Sequence, residues 1–250
     1  MIKKNIDKEE INLYWSPFFI SEEKDWSFLY QNPITLFSDL NQHREKGNPN
    51  SYLSCPAMSN KMKKTLIFKN TIDSSYTYDK NLINSVLENS LGSGKEREAS
   101  TDFGPIFKFF YSIIFFADQP LDVSFTSPYF HKSQYTQYGS VCPGEFNVGR
   151  WFRPYMFEVQ MWEKEGVFNL KENEPIFYSE FKTTKPINLY RFNLSKKLNH
   201  YSNSCVETTS LFGRGQSLFS RYEKFKNIGF KEKILTEIKK NIIEEKPFKF

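Results

Sequence analysis

His131 and Glu145 are the residues from which a metal centre would be assembled on this chain. A cupin-type site needs two histidines one residue apart and a glutamate a few positions on, so that all reach one ion. The stretch reads Pro128-Tyr129-Phe130-His131-Lys132, with tyrosine where the first histidine would stand. The chain has 3 histidines, the others being His43 and His200. One imidazole and one carboxylate do not hold a transition metal, so no metal and no cofactor are expected.

Nucleophilic chemistry has little more to start from. A Cys–His pair must meet in space, and Cys142 with His131 or Cys205 with His200 are the combinations offered. A single cysteine is more often a small buried filler than a nucleophile. There is no G-x-S-x-G elbow. Gly92-Ser93-Gly94-Lys95 resembles the end of a phosphate-binding loop, yet Asn89 stands where the first glycine is required and Glu96 follows the lysine. The surrounding 89–102 segment reads as an exposed, mobile loop.

Two clusters are suited to recognition. In 139–154 (GSVCPGEFNVGRWFRP), Arg150 and Arg153 bracket Trp151 and Phe152. Arginines beside rings bind carboxylate or phosphate while the ring stacks on a planar group. The same pattern arises where an arginine merely covers a core tryptophan at a strand entrance. The second cluster is Arg214, Arg221, Lys224 and Lys226, interleaved with Phe219, Tyr222 and Phe225. Such a run can track a nucleic acid backbone and stack bases. Its aromatics can equally dock the segment on the body of the protein.

The elements that must position these residues are written in the aromatics. The chain carries 26 phenylalanines, 14 tyrosines and 4 tryptophans, and many fall in runs that read as strands. The run at 107–116 (FKFFYSIIFF) is apolar on both alternating faces and predicts a central strand covered on both sides. Residues 121–126 and 155–162 alternate apolar and polar, and 176–181 and 187–192 each follow a proline. The intervening Lys-Thr-Thr-Lys at 182–185 predicts a hairpin loop. Prolines 17 and 33 mark 11–15 and 26–30 as edge strands or extended loops. A short helix is predicted at 55–64, then strands at 65–69 and 75–79, with a polar connection at 40–51. No internal repeat is visible.

After residue 194 the pattern turns helical. Ser195 is a plausible helix N-cap for a segment reaching residue 209. Residues 230–246 form the strongest helix pattern, with Ile234, Ile238 and Ile242 four apart and Pro247 as the stop. The expected fold is mainly β (α+β), an antiparallel β-sandwich or barrel-like core of jelly-roll or cupin-like type. It comprises a β-rich domain at 1–194 with a C-terminal helical extension, 195–250, packed on it.

The formal net charge of +5 resides in residues 213–250, leaving the rest near neutral. That distribution makes nucleic acid a possible partner through the basic terminus, though not a favoured one. No run approaches the roughly 20 apolar residues of a membrane-spanning helix, and the charged start lacks the apolar stretch of a secretory signal. Three separated cysteines argue against a disulfide scaffold. A cytoplasmic setting is expected, in the host if the chain is viral, with no membrane partner.

Cys55-Pro56-Ala57, the segment 67–78 (IFKNTIDSSYTY), residues 149–162 and Glu174-Pro175-Ile176-Phe177-Tyr178 together resemble an uncharacterised protein family of tailed phages, notably marine ones, and of some bacteria. The resemblance spans most of 52–192. It implies a phage or bacterial domain without assigned function and supplies no catalytic residue. The expected function is a soluble, non-catalytic interaction or accessory protein with a protein partner. The alternatives are a barrel-fold enzyme or small-ligand binder, with a pocket near His131, Glu145, Arg150, Trp151 and Arg153, and a nucleic-acid-associated protein.

Overall fold

The computed structural model describes residues 9–18, 30–43, 52–78, 82–85, 94–95, 104–207, 229–243 and 246–250. The basic cluster Arg214, Arg221, Lys224 and Lys226 lies outside them, as does nearly all of the 89–102 segment. Strands dominate, as the aromatic runs require. A six-stranded sheet is ordered β15 (Phe248–Lys249), β14 (Ile187–Arg191), β1 (Ile11–Pro17), β7 (Ile106–Ala117), β11 (Pro154–Met161), β9 (Gly139–Val141). A five-stranded sheet is ordered β10 (Gly144–Asn147), β8 (Asp122–Thr126), β13 (Pro175–Phe181), β3 (Thr65–Lys69), β2 (Ile34–Thr35). A smaller sheet holds β12 (Gly166–Leu170), β4 (Ser74–Tyr78), β5 (Leu82–Ser85) and β6 (Gly94–Lys95).

The inner faces of these sheets meet in one aromatic core. Phe68, Phe107, Phe115, Phe125, Phe157, Phe177 and Phe181 are buried in it, with Trp15 and Tyr135. Strand β7 has the two-faced character its sequence demands. Ile113, Phe115 and Ala117 enter this core, while Ile114 and Phe116 point the other way into a second cluster with Leu198, Ile234 and Ile238. That second cluster is the seam between the six-stranded sheet and α3 (Lys196–Glu207) and α4 (Phe230–Lys240). A third cluster, around Leu36, Met62, Ile67 and Tyr178, seals α1 (Leu36–Gln42) and α2 (Pro56–Lys63) onto the outer face of the five-stranded sheet. The protein is thus a β-sandwich with helices on both outer faces.

Several expectations change in detail. Lys182–Pro186 is no hairpin: β13 belongs to the five-stranded sheet and β14 to the six-stranded one, so this segment crosses between layers. Pro17 ends a strand that is central, between β14 and β7, instead of marking an edge. A proline is tolerated there because it falls at the last ladder position. The helix over 230–246 stops at Lys240, since Asn241 caps it and Ile242 instead forms a bridge with Phe192. Ser195 does cap α3, its hydroxyl accepting from the Leu198 amide at 3.3 Å. The C-terminal segment is built into the core as well as packed on it: the Phe250 carbonyl accepts from Ile187 N at 2.8 Å and from Lys64 Nζ at 3.2 Å.

A short sequence repeat accompanies the one parallel strand pair among the described residues. Ile11-Asn12-Leu13-Tyr14 and Ile187-Asn188-Leu189-Tyr190 are the same tetrapeptide, and β1 and β14 pair in parallel with those residues in register. Ile and Leu of both copies enter the aromatic core. On the opposite face Asn188 Nδ2 donates to Asn12 Oδ1 at 3.3 Å, and Tyr14 stacks on Tyr190 at 5.5 Å. Two neighbouring strands with one environment on each face select the same side chains.

Candidate functional site

The outer face of the five-stranded sheet holds the richest chemistry among the described residues. Strand alternation places Val123 and Phe125 of β8 in the core, which turns Ser124 and Thr126 outward. Ser124 stands directly opposite Glu145 of β10 on one side and Glu180 of β13 on the other. Glu180 in turn faces Thr65 of β3. Directly paired residues share a face, so Glu145, Ser124, Glu180 and Thr65 form one row across four strands. Neighbouring strands lie about 4.8 Å apart, which sets the two glutamates about 10 Å apart at the backbone.

Lysines close both ends of this row. Lys182 Nζ donates to Glu145 Oε2, and Lys61 Nζ of α2 meets Glu180 Oε2 at 3.1 Å. That hydrogen bond raises the Lys61 ammonium above its ordinary value, against the opposing effect of burial. Lys61 also lies 5.7 Å over the ring of Tyr129. Tyr129 is 48% exposed and Tyr52, in the 3-10 turn Tyr52–Ser54, is 45% exposed. Phe130 lies between them, stacked with Tyr52 at 5.5 Å and tilted against Tyr129 at 5.1 Å. The polar row therefore has an aromatic ledge along one side.

The ledge stands on a buried hydrogen-bonded chain. Asp39 on α1 and Tyr178 on β13 are almost wholly buried, and His131 lies between them. A carboxylate only accepts, so the contact of His131 Nε2 to Asp39 Oδ2 at 2.8 Å fixes the ring proton on Nε2. Nδ1 lies within hydrogen-bond distance of the Tyr178 hydroxyl. Lys69 Nζ donates to the other Asp39 oxygen at 2.6 Å. Burial alone would raise the Asp39 carboxyl, but the hydrogen bonds and charges of His131 and Lys69 prevail and hold it at about 2. Burial drives the Tyr178 phenol far above its ordinary range, with a backbone hydrogen bond from Phe130 opposing. The phenol thus keeps its proton, and the chain pins the 127–133 loop to the sheet and to α1.

The residues singled out from sequence divide between the two outer faces. His131 and Glu145 belong to the five-stranded side. Trp151 packs against the cluster beneath α3 and α4, its ring stacked over Phe146 at 6.4 Å. Arg153 is half-buried, and its charge opposes the effect of burial that pushes the Cys205 thiol of α3 up to about 12. Arg150 is exposed. Two glycines of this stretch, Gly139 and Gly149, have a packing reason. A Cβ on Gly149 would lie 1.9 Å from the Gln119 carbonyl oxygen and 2.8 Å from Pro120 Cα. Gly149→Ala is expected to lower stability by about 3 kcal/mol, read as a lower denaturation midpoint. An unchanged midpoint would deny the close approach.

Structure also accounts for Glu174 beside Pro175 at the start of β13. Glu174 accepts from the Gln134 amide and, at 2.9 Å, from the Lys171 amide, tying the 3-10 turn Gln134–Gln137 to the entrance of β13. Cys55 occupies the N-cap position of α2, with Pro56 at its first turn. No disulfide joins Cys55, Cys142 or Cys205. Among the described residues no group of three or more His, Cys, Asp or Glu is placed to hold a metal ion. No described helix is long and apolar enough to cross a membrane.

No family model, curated protein or solved structure matches this chain. Fold and site alone define the class: a helix-flanked β-sandwich presenting one charge-paired polar row edged by exposed tyrosines. Sequence reasoning missed Asp39, Lys69, Tyr178, Glu180, Ser124 and the two tyrosines. Of these, only Ser124 had a visible signal, the alternation of 121–126 that turns it to the face opposite the core.

Proposed function

We propose that this chain is a binding protein that captures a ligand on the outer face of its five-stranded sheet and leaves it chemically unchanged. One observation carries the reading: two half-exposed tyrosines stand beside a row of ion-paired side chains that is exposed at its Glu145–Lys182 end and rests on a rigid base. Large apolar rings left in water beside satisfied polar groups are a feature of contact surfaces. The buried chain beneath them supports a positioning role. Tyr178 is sealed from solvent and held protonated, so it is placed to brace His131 and not to attack or ionise.

A ligand that binds only the folded state raises its melting temperature. Thermal-shift measurements with neutral oligosaccharides, single-stranded DNA and acidic or proline-rich peptides therefore test the reading. At least one of these classes is expected to raise the midpoint of the native protein, and to lose that effect in Tyr52→Ala/Tyr129→Ala. If no class shifts the native midpoint, or if the double variant responds equally, this face is not the binding surface.

A further inference from the structure

We infer that the ligand of this face is a neutral, hydroxyl-rich glycan chain; the inference rests on the binding reading above and names its ligand class. Charge is the first discriminator. Glu145 and Glu180 are each matched by a lysine, Lys182 and Lys61. Asp122, next along the face, accepts from Asn147 Nδ2 at 2.8 Å and adds no cation. A surface that tracks phosphates carries a clear excess of Lys and Arg, whereas here carboxylates slightly outnumber ammonium groups. With both glutamates matched, no surplus of cations is left on this row to attract a phosphate backbone.

A protein partner is the poorer fit as well. The centres of protein–protein contacts are depleted in Glu, Asp and Lys, because desolvating an ion pair costs more than its mutual attraction returns. This row carries one such pair on each of its two glutamates. Sugar hydroxyls suit it better, since each is both donor and acceptor and solvates a carboxylate and an ammonium together without separating them. The apolar C–H face of a pyranose ring matches an exposed tyrosine face, which Tyr129 supplies at the edge of the row. The spacing of Glu145 and Glu180, about 10 Å across β8, exceeds one sugar ring. The ligand is therefore an oligosaccharide or a polysaccharide segment lying across the strands.

Isothermal titration of the full chain with cellohexaose, maltohexaose and chitohexaose, and with a thymidine dodecamer as the charged control, tests the inference. Binding of at least one hexasaccharide is expected with a Kd below about 1 mM. Raising the salt is expected to change that affinity less than about twofold, since no net charge is neutralised. Tyr129→Ala and the conservative Glu180→Gln should each weaken it about tenfold, with melting temperatures recorded so that loss of fold is not mistaken for loss of contact. No heat from any hexasaccharide at about 10 mM overturns the inference. If a peptide or DNA then still shifts the melting temperature through Tyr52 and Tyr129, the glycan assignment has failed and the binding reading stands. If nothing acts through these tyrosines, both have failed.

Discussion

Replacing Phe177 by alanine is expected to cost about 4 kcal/mol of folding stability, the range for truncating a fully buried phenylalanine. Phe177 is 0% exposed. Its ring stacks on Phe68 at 4.8 Å and lies 5.5 Å from Tyr155, 5.8 Å from Phe157 and 6.1 Å from Phe125. These partners come from both large sheets, so the ring closes the sandwich at its middle. Six-twelve packing contacts do not reach across the gap an alanine leaves, and a close-packed interior relaxes only in part. Chemical denaturation of the variant measures the loss. Val167→Ala, at a side chain 53% exposed on β12, is the matched control and is expected within about 0.5 kcal/mol of the native protein. Equal small losses at both positions would mean that the aromatic rings are not packed between the sheets.

Asp39→Asn is expected to destabilise the protein by about 3 kcal/mol at neutral pH, because it leaves the Lys69 ammonium and the His131 ring without a full acceptor. The pH dependence gives this variant its signature. Asp39 is depressed from an ordinary value of 3.8 to about 2 in the fold. A lowered carboxyl contributes stability that is fully present above its unfolded value and is lost as pH falls through its folded value. That contribution is about 2 kcal/mol, withdrawn between about pH 4 and pH 2. The native protein should therefore lose stability over this window more steeply than Asp39→Asn, and the two curves should converge toward its acid end. Parallel curves would show that the carboxylate is not held by His131 and Lys69.

The fold was readable where one strand carries its own signal. The two-faced run of β7 and the alternation of β8 and β11 each state which side is buried, and the structure honours that statement. Pairing is another matter. Whether β13 and β14 form a hairpin depends on which sheet each joins, and the tetrapeptide at 182–185 contains no information about that. The in-register partnership of Ile11–Tyr14 with Ile187–Tyr190 was in plain sight as an identical tetrapeptide, but its copies stand at opposite ends of the chain.

The site was less legible still, for the same reason. His131 was noticed as a lone imidazole; its partners Asp39 and Tyr178 come from a helix and a strand far from it in sequence, and each residue alone is ordinary. Glu145 and Glu180 acquire meaning only through the intervening Ser124. Arg150, Trp151 and Arg153 are close in sequence, yet they lie in the turn and loop between β10 and β11, where Trp151 packs beneath the helices and Arg150 is exposed. Chemistry assembled across strands leaves no local spacing to recognise.

Everything proposed for this face depends on Glu145, Ser124 and Glu180 standing side by side. Nuclear Overhauser contacts in the isotopically labelled protein report that register directly. The account requires cross-strand contacts from Ser124 to both Glu145 and Glu180, together with contacts between Tyr129 and Tyr178, whose rings lie 5.0 Å apart. Ser124 contacting neither glutamate, or a register moved by one residue so that Phe125 takes its place opposite them, would turn the row into the core and contradict the account.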